Sequence, residues 1–490
     1  MNSQVTIVIV NWNRKDCVLN LLESLRTMPH AGVRIIVVDN ASTDGSAAAI
    51  RNHPLPVTLL ENRENLGGTG GFNTGIRYAL ELPGQEFIWL LDNDVEVAPD
   101  TLDRLVGAMT RDPSIGVAGS CILSPEDRSV IVEAGGFVDR RRGTWTPNRR
   151  YQPHAPLQGK NLVEPVHYVP ACSALIRVSA VRRIDMLDER FFLHWDDIDF
   201  CARVREAGYR VVSVLDSPAY HGAEKGYSPI TLYYDFRNAL LFQAKHRQGR
   251  ELVLSVRTIL GNYLSSLVYL FLLGQRKPAR HLFAALRDFM DRRFGRAPVS
   301  PAELASPAPA GRVAGAGELR DFRNVLLFAV GSFDDVAAAV RGIRECDPSL
   351  SVTVAVAADR AEVYRLPGVD ALIRFDLFRS GLRGKLATAR AILGGGFRCG
   401  ITAGGPFVVP YAFLLRRNLH FDRRDGTFRR LGVSFLTLWK VPLAMVGGKL
   451  LAALFLAPVV RTCSGVRSTL KNEEPAPSGG GRNPEEPPAP

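Results

Sequence analysis

The sequence predicts an α/β protein built on a parallel, doubly wound sheet, with a second, smaller α/β domain and a C-terminal apolar helix. Short apolar runs alternate with segments of helical spacing through the first half of the chain, which is typical of such a sheet. The alternation stops at residues 297–317, which are rich in Ala, Pro and Gly, and then restarts. Since 490 residues are too many for one ordinary core, we expect more than one domain.

Each strand of the first half is predicted from an apolar run that ends in polar residues. The runs are "VTIVIVNWN", "VRIIVVDN", "VTLLEN" and "FIWLLDND". The unbroken apolar stretch from Phe87 to Leu91 predicts a strand that is buried on both faces. After the first strand, Val18, Leu21, Leu22 and Leu25 recur at helical spacing and predict a helix.

The segment from Asn65 to Gly75 is predicted to be a glycine-rich loop that opens into a helix. It lacks the GxGxxG pattern and follows the third strand rather than the first, so it is not a dinucleotide fingerprint. Its glycines could bring the backbone close to a phosphate or a sugar, or could serve only a tight turn and a helix cap. Residues Ser124 to Glu164 are expected to form an irregular, basic excursion that covers the sheet.

Two carboxylates follow the apolar strand at Asp92-Asn93-Asp94. The carboxyl ends of strands in open α/β sheets are where ligands bind, and carboxylates two residues apart can share a hard cation. Mg²⁺ or Mn²⁺ in such a site usually bridges to a substrate phosphate. A surface turn is the simpler alternative, because Asp and Asn favour turns.

A second acidic group stands in "HWDDIDF", where Asp196 and Asp197 are predicted to begin a helix. Carboxylates at a helix start can be explained as caps that interact with the free N–H groups and the helix dipole. One acid suffices for a cap, however, so three acids in this short stretch beside Trp195 indicate a further role. His221 follows the next predicted strand, "RVVSVLD", after a short extended segment.

The charge and the cysteines limit the partners and the compartment. A formal net charge of +12 suits an anionic partner, although charge runs can also be plain solvated faces. The sequence carries no RRM or zinc-finger pattern, so we do not expect nucleic acid to be the partner. The seven cysteines form no CxxC pair, and no secretory signal pattern opens the chain, so a cytoplasmic location is expected.

The sequence is divided into segments after residue 245. They are an amphipathic helical extension at 246–296, the linker at 297–317, the second α/β domain at 318–432, an apolar helix at 433–462 and a disordered tail at 463–490. Because Lys440, Pro442 and Lys449 interrupt the apolar helix, we expect it to lie on an anionic leaflet rather than to span the membrane.

Taken together, the motifs of residues 4–245 resemble the GT-A glycosyltransferases of family 2. The motifs that carry the resemblance are, in order, "VTIVIVNWNR", "VVDNASTDGS", "NLGGTGGFNTG", "LLDNDVEVAPD", "HWDDIDF" and "YHG". The chain is most similar to bacterial rhamnosyltransferases and galactofuranosyltransferases that extend lipid-linked glycans. It departs from the pattern at Asp196, where many members have Glu, and in having the second α/β domain.

The resemblance implies a role for each matching residue. Asp197 would be the catalytic base, with Asp196 beside it, and Asp92, Asp94 and His221 would hold Mn²⁺ or Mg²⁺. The donor-binding residues that it implies are Asn11, Arg14, Asp39, Gly67, Gly68, Asn73, Asp92 and Asn93. The acceptor-binding residues that it implies are Trp195, Arg237 and Asn238.

The expected function is therefore that of an inverting, metal-dependent glycosyltransferase, with residues 1–245 as its catalytic domain. The donor would be dTDP-rhamnose or UDP-galactofuranose, and the acceptor a lipid-linked saccharide at the inner face of the cell membrane, where the protein would be peripheral. A non-catalytic membrane-associated scaffold is the alternative. A sugar-1-phosphate nucleotidylyltransferase would need a basic glycine-rich loop where "NWNRKD" stands. A glycoside hydrolase also needs two carboxylates, but no nucleotide-type first loop.

Overall fold

The computed structural model describes most of the chain. The described residues are 4–28, 32–221, 229–272, 276–298, 313–314, 319, 321–329, 333–356, 364, 366–374, 382–403, 415, 417–422, 427–430 and 435–473. Most of the linker predicted at 297–317 and residues 474–490 of the predicted tail lie outside them.

The first part of the chain alternates strands and helices. Its elements are β1 (Gln4–Asn11), α1 (Lys15–Arg26), β2 (Val33–Asp39), α2 (Ser46–Arg51), β3 (Thr58–Glu61), α3 (Gly67–Glu81), β4 (Gln85–Asp92), β5 (Glu96–Val97), α4 (Thr101–Arg111), β6 (Ile115–Leu123), β7 (Ile131–Glu133), β8 (Gly136–Asp139), β9 (Thr144–Pro147), β10 (Val163–Pro165), β11 (Ser173–Arg177), α5 (Val178–Ile184), α6 (Asp196–Glu206), β12 (Arg210–Tyr220), α7 (Pro229–His246), α8 (Gly249–Leu272) and α9 (Arg276–Met290).

The remaining elements belong to the second α/β domain and to the C-terminal helix. They are β13 (Val313–Ala314), β14 (Asn324–Phe328), α10 (Phe333–Cys346), β15 (Ser351–Val356), β16 (Ala371–Arg374), α11 (Leu382–Gly394), β17 (Cys399–Ala403), β18 (Arg417–Asp422), β19 (Thr427–Arg430) and α12 (Phe435–Glu473).

The first sheet is mixed rather than wholly parallel, so the α/β class is confirmed but the prediction of a parallel sheet is wrong in part. Among the described residues its strand order is β10-β12-β6-β11-β4-β1-β2-β3, with β5 on β12 and β7 on β6. The strands β4, β1, β2 and β3 are parallel neighbours, but β11 runs antiparallel between β4 and β6. An apolar strand can be buried in either direction, so its composition does not reveal which way it runs.

Strand β1 shows why the apolar runs are unbroken. Val5, Ile7 and Ile9 pack on one face in a cluster with α1 and α4, whereas Val8 packs on the other face with Phe72 and Ile76 of α3. Helices cover both faces of the sheet, so successive side chains are all buried. The predicted helical face of α1, formed by Val18, Leu21, Leu22 and Leu25, is buried as expected.

The glycine-rich segment is a helix from Gly67 onwards, which corrects the predicted loop from Asn65 to Gly75. The glycines allow this helix to lie close against the sheet. A Cβ atom added to Gly75 would come within 2.2 Å of Val8 Cγ1, and one added to Gly71 within 2.6 Å of Val10 Cγ1. Close helix–sheet packing therefore explains these two glycines without a ligand.

The excursion from Ser124 to Glu164 is more regular than predicted, because it contains β7, the hairpin of β8 with β9, and most of β10. It also contacts the second domain. Tyr151 packs 6.2 Å from the ring of Phe333 and 6.1 Å from the ring of Tyr364, measured between ring centroids. Ser124 donates a hydrogen bond to Asp334, which begins the same helix as Phe333. These contacts connect the two sheets.

The second α/β domain contains the strands predicted from the apolar runs after the linker. They are β14 to β17, and within the described residues β18, β19 and β13 extend their sheet in the order β13-β19-β18-β17-β14-β15-β16. The neighbours from β16 to β18 are all parallel.

The C-terminal helix α12 packs antiparallel to α8. Gly448 lies against Ser265 near one end of the contact, and the guanidinium of Arg467 donates to the backbone oxygen of Arg247 at 2.7 Å near the other. The helix continues beyond residue 462, the predicted end of the apolar segment, because Cys463 and Val466 prolong its buried stripe. In the described part of the chain, Gly249–Leu272 and Leu443–Leu470 have the length and composition that a membrane span would need.

Candidate active site

The carboxyl ends of β1, β2 and β4 gather polar side chains at one edge of the sheet. Asn11 is in register with Asp39 of β2, and Val10 is in register with Asp92 of β4. The Asn11 amide donates to Asp39 Oδ1 at 3.2 Å, and the Asn93 amide donates to Asn11 Oδ1 at 2.9 Å. Three of the predicted donor-binding residues therefore form one hydrogen-bonded group, as expected for strand ends that meet at the same edge.

Asp92, Asp94 and His221 are brought together at this edge, as predicted. One possible ligand atom from each of the three lies within 4.8 Å of those of the other two. His221 Nε2 is 3.1 Å from Asp94 Oδ1, and both side chains are about one quarter exposed. Two carboxylates and one imidazole that face a partly open space are a suitable ligand set for a divalent cation such as Mn²⁺ or Mg²⁺.

A short strand pair brings His221 to the two carboxylates, although it is far from them in sequence. Immediately after Asp94, strand β5 pairs antiparallel with the end of β12, with Val97 opposite Ala219 and Glu96 opposite Tyr220. His221 follows Tyr220 directly, and its backbone N–H donates to Leu123 at 3.1 Å. The end of β12 is therefore held between β5 and β6, which sets the position of the imidazole.

The two carboxylates of this group have different environments. Burial raises the pKa of Asp92 to about 6, although the nearby His221 partly opposes the rise. Burial has the same effect on Asp94, but the hydrogen bond and charge of His221, with the charge of Arg14, outweigh it and hold the pKa of Asp94 below its usual value. The negative charge of Asp92 is therefore less well compensated than that of Asp94, and a bound cation would stabilise it.

The predicted acid pair begins helix α6, close to the first group. Asp196 is buried and accepts a hydrogen bond from the Thr69 hydroxyl at 2.7 Å. Burial and then the neighbouring Asp196 raise the pKa of Asp197 to about 8. The charges of Asp196 and His194 also act on Asp92, so the two acidic groups lie within electrostatic reach of each other.

The third acid of the motif, Asp199, has a structural role. Its buried carboxylate contacts Lys245 at 2.7 Å, Arg203 at 2.9 Å and His246 at 2.8 Å. Burial opposes its ionisation, but these three partners hold the pKa of Asp199 well below its usual value. The excess of acids noted in the sequence is therefore divided between an ion-pair network and the pair at the site.

Hydrogen bonds from helix α7 hold the segment that precedes the acid pair. Phe192, His194 and Trp195 adopt left-handed backbone conformations, which are uncommon for residues with side chains. The Asn238 amide donates to the backbone oxygens of Phe191, Leu193 and His194 at 2.8–2.9 Å. Since this geometry is unfavourable by itself, the contacts from α7 are needed to maintain it.

Arg237 supports the same segment. Its guanidinium is fully buried and donates to the backbone oxygens of Arg190, Phe191 and Gly295 at 2.6–3.1 Å. Trp195 is 5% exposed and packs against the ring of Phe242. The side chains of Trp195, Arg237 and Asn238 are all buried and contact the protein itself, and their predicted contacts with an acceptor stay a prediction.

Three predicted donor-binding residues of α3 also face this segment instead of the strand ends. A Cβ atom added to Gly67 would come within 2.2 Å of the Phe192 backbone oxygen, and one added to Gly68 within 3.8 Å of Leu193. The Asn73 amide donates to the Leu187 backbone oxygen at 2.8 Å. Gly67, Gly68 and Asn73 therefore lie against the acid-bearing segment, and their predicted contacts with a donor stay a prediction.

Polar residues that were not predicted from the sequence also lie near the acid pair. His194 Nδ1 lies 3.0 Å from Asp235 Oδ1, and although burial opposes it, the charge of Asp235 raises the pKa of His194 to about 9. Glu133 of β7 is half-buried, and its charge acts on Asp197. His194 is the first residue of the HWDDIDF motif and was therefore a usable signal, whereas nothing near Glu133 in the sequence points to the site.

The site-bearing part of the chain is similar to known glycosyltransferases. Residues 6–185 match the family described as glycosyl transferase family 2. The chain is 27% identical over 242 residues to N-acetylglucosaminyl-diphospho-decaprenol L-rhamnosyltransferase of Mycobacterium tuberculosis, a match that covers 45% of this chain and 76% of that protein. It is 25% identical over 222 residues to galactofuranosyltransferase GlfT1 of Mycolicibacterium smegmatis, covering 44% of this chain and 70% of that protein.

Among solved structures, the chain is similar to a mannosyltransferase of Pyrobaculum calidifontis in complex with GDP-Man and Mn²⁺, with 19% identity and a TM-score of 0.39. That match covers 62% of this chain and 78% of the other. The family match includes Asp92 and Asp94 but ends before the acid pair. The predicted resemblance to the glycosyltransferases of family 2 is confirmed by the family match of residues 6–185 and by these relatives.

The anchoring of the acid-bearing segment can be tested with Asn238→Ala. Removal of the amide leaves the buried backbone oxygens of Phe191, Leu193 and His194 without this donor, which should cost about 1–3 kcal/mol in the free energy of unfolding. Hydrogen exchange should become faster at residues 190–195. Asn262→Ala on the exposed face of α8 is the matched control and should change neither quantity. Unchanged exchange at residues 190–195 in Asn238→Ala would contradict the anchoring role.

Proposed function

Since residues 6–185 belong to glycosyl transferase family 2, we propose that this chain is a divalent-metal-dependent, inverting glycosyltransferase that acts on a lipid-linked glycan. The observation that carries the proposal is the position of Asp197. Its carboxyl group has a pKa of about 8, and its neighbour Asp196 acts on Asp92 of the carboxylate–imidazole cluster suited to a cation. One group can accept a proton while the other stabilises the departing diphosphate.

Asp92, Asp94 and His221 are the residues that would hold the cation. Their hard oxygen atoms and single imidazole fit Mn²⁺ or Mg²⁺ better than a thiolate-preferring metal. A cation held by these residues would supply positive charge to offset the negative charge that develops on the departing nucleoside diphosphate. The elevated pKa of Asp92 agrees with this role, because a carboxylate that lacks compensation in the apoprotein gains most from a cation.

Asp197 would accept the proton of the acceptor hydroxyl as that hydroxyl attacks the anomeric carbon. Asp199 is less available, since it is enclosed by three cationic partners, whereas Asp196 and Asp197 each accept one hydrogen bond, from Thr69 and from the Ile198 backbone. We propose a single displacement with inversion at the anomeric carbon, in which Asp197 acts as the base.

The donor would bind at the strand ends, with its nucleoside near Asn11, Asp39 and Asn93 and its diphosphate near Asp92 and Asp94. Arg14 supports this assignment because its charge already acts on Asp94 and would also attract a phosphate. The curated relatives are named as a rhamnosyltransferase and a galactofuranosyltransferase. We therefore propose dTDP-rhamnose or UDP-galactofuranose as the donor.

The acceptor is proposed to be a saccharide carried on a polyprenyl diphosphate. The relative from Mycobacterium tuberculosis is named for such a lipid, N-acetylglucosaminyl-diphospho-decaprenol, and this chain spans 76% of its length. An enzyme with this acceptor works at a membrane surface, so we propose that the protein is cytoplasmic and peripheral at the inner face of the cell membrane. The net charge of +12 suits an anionic leaflet.

Metal-dependent nucleotide binding is the first test. Mn²⁺ with UDP or dTDP should raise the melting temperature by a few degrees at a ligand concentration about 100-fold above Kd, because only the folded protein binds the pair. Asp94→Ala should abolish the increase, whereas Asp103→Ala, which removes an exposed carboxylate of α4, should retain it. If no nucleoside diphosphate, including GDP, changes the melting temperature, a non-catalytic scaffold becomes the better interpretation.

The base is tested with Asp197→Asn, which keeps the size of the side chain but removes its ability to accept the proton. We expect kcat for sugar transfer to fall by about 10²- to 10⁴-fold. The nucleotide-induced increase in melting temperature should be unchanged, because Asp197 does not belong to the cation cluster. Transfer is measured from UDP-galactofuranose and dTDP-rhamnose to a polyprenyl-diphosphate-linked saccharide. Full activity of the variant would exclude Asp197 as the base.

The pKa of Asp197 predicts the pH dependence of transfer. A general base must be ionised, so kcat/KM should fall about tenfold per pH unit below pH 8 and level off above it. Asp196→Asn removes a like charge and should move the inflection to lower pH. Asp103→Asn is the matched control and should leave the profile unchanged. A wild-type profile that is flat between pH 6 and 9, or an unmoved inflection in Asp196→Asn, would contradict this assignment.

A further inference from the structure

Large apolar side chains are exposed at one end of the helical unit formed by α8, α9 and α12. On α12, Val446, Leu450 and Leu454 are 60%, 64% and 73% exposed. At the end of α8, Phe271 is 67% exposed, and Phe283 of α9 is 55% exposed. Single exposed apolar residues are common, but a continuous set of them marks an interaction surface.

In this part of α12 the usual burial pattern is reversed, because small residues are buried and large apolar residues are exposed. Small residues face α8, since Ala444, Gly448 and Ala452 are buried, whereas the large apolar residues between them point outwards. A Cβ atom added to Gly448 would come within 2.4 Å of the Ser265 Cα atom, so the two helices are in close backbone contact. Small residues at the helix contact and large apolar residues outside are typical of helices packed in lipid.

The pattern reverses further along the same helix. Val459, Cys463 and Val466 are buried, whereas Arg461 and Ser464 are exposed. This half of α12 therefore has the ordinary pattern of a helix on a water-soluble protein. The change between Leu454 and Arg461 defines the limit of the apolar face. That face is confined to the end of the unit that lies beside the second half of α8.

The length of the apolar face suits one leaflet of a bilayer. From Leu443 to Leu454 the helix rises about 16 Å, roughly half of a hydrocarbon core of about 30 Å. Lys449 is exposed within this stretch, where a long side chain can reach the headgroups but would be unfavourable at the centre of a bilayer. The geometry therefore favours shallow insertion over a membrane span.

Basic residues accompany the apolar face. Arg276 and Arg280 are exposed on α9, which begins just after the end of α8 that carries Phe271. Positive charges beside an inserted apolar surface interact favourably with anionic lipid headgroups. A second copy of the chain on this face would instead bring the same positive charges together. Lipid is therefore the better match for both the apolar residues and the charges.

We propose that the apolar face of α12, from Leu443 to Leu454, inserts into one leaflet of an anionic phospholipid bilayer together with Phe271 of α8. This surface lies outside the residues that match the glycosyltransferase family. The inference deepens the proposed function, because it supplies the surface that would hold the enzyme beside a lipid-linked acceptor. Membrane binding itself requires no transfer activity and can be tested separately.

Flotation of the full chain with vesicles tests the proposal. The protein should float with vesicles of phosphatidylcholine and phosphatidylglycerol, and less with phosphatidylcholine alone. Leu450→Glu/Leu454→Glu should weaken partition to the anionic vesicles by at least about tenfold, because two inserted apolar side chains become charged. Ser464→Glu/Ser468→Glu adds the same charge on the exposed side of the same helix and is the matched control, expected to retain most of the binding.

Further variants separate the possible causes of failure. Arg276→Ser/Arg280→Ser should reduce the preference for anionic vesicles and its sensitivity to salt. Asp197→Asn should float like the wild type whatever its activity, which distinguishes this inference from the proposed function. Equal flotation of the wild type and Leu450→Glu/Leu454→Glu would overturn the proposal. A wild type that does not float but is a dimer by light scattering, with a monomeric double variant, would assign the face to self-association.

Discussion

The cost of burying carboxylates organises the candidate site. A buried carboxylate is costly unless hydrogen bonds or opposite charges compensate it, and several acids gather where the strands end. Most of them have such partners. Asp39 accepts hydrogen bonds from the Asn11 amide and from the Ser42 backbone N–H, and Asp196 accepts one from the Thr69 hydroxyl. Asp94 is hydrogen bonded to His221, and Asp199 contacts three cationic side chains. Burial nevertheless raises the pKa of Asp196, and it raises the pKa values of Asp92 and Asp197 to about 6 and 8. A cation and a substrate proton would complete the environments of these two groups.

Asparagine side chains occur both at the candidate site and among the residues that support it. Asn11 and Asn93 form the hydrogen-bonded group at the strand ends, whereas Asn73 and Asn238 bind the backbone of the acid-bearing segment from within the protein. The left-handed residues of that segment depend on the second set. A substitution such as Asn238→Ala therefore affects the site through the backbone, although the side chain does not face it.

The second half of the chain has a separate organisation. The second α/β domain packs against the excursion of the first sheet through Tyr151, Phe333 and Tyr364. The helical unit of α8, α9 and α12 contacts α7, which anchors the acid-bearing segment of the first α/β domain. A surface on the helical unit that binds a bilayer would therefore be connected by rigid helices to the residues proposed for catalysis.

Local patterns in the sequence determined the elements and the chemical character of the site. Buried runs, helical spacing and the acids after β4 depend on near neighbours, so the strands, α1 and the cation cluster were predictable. The tertiary structure decided the direction of β11, the burial of Trp195 and Arg237, and the use of the α3 glycines for packing. It also brought Glu133 and Asp235 to the acid pair. These features depend on contacts between residues distant in sequence, because a side chain's role is set by what the fold places opposite it.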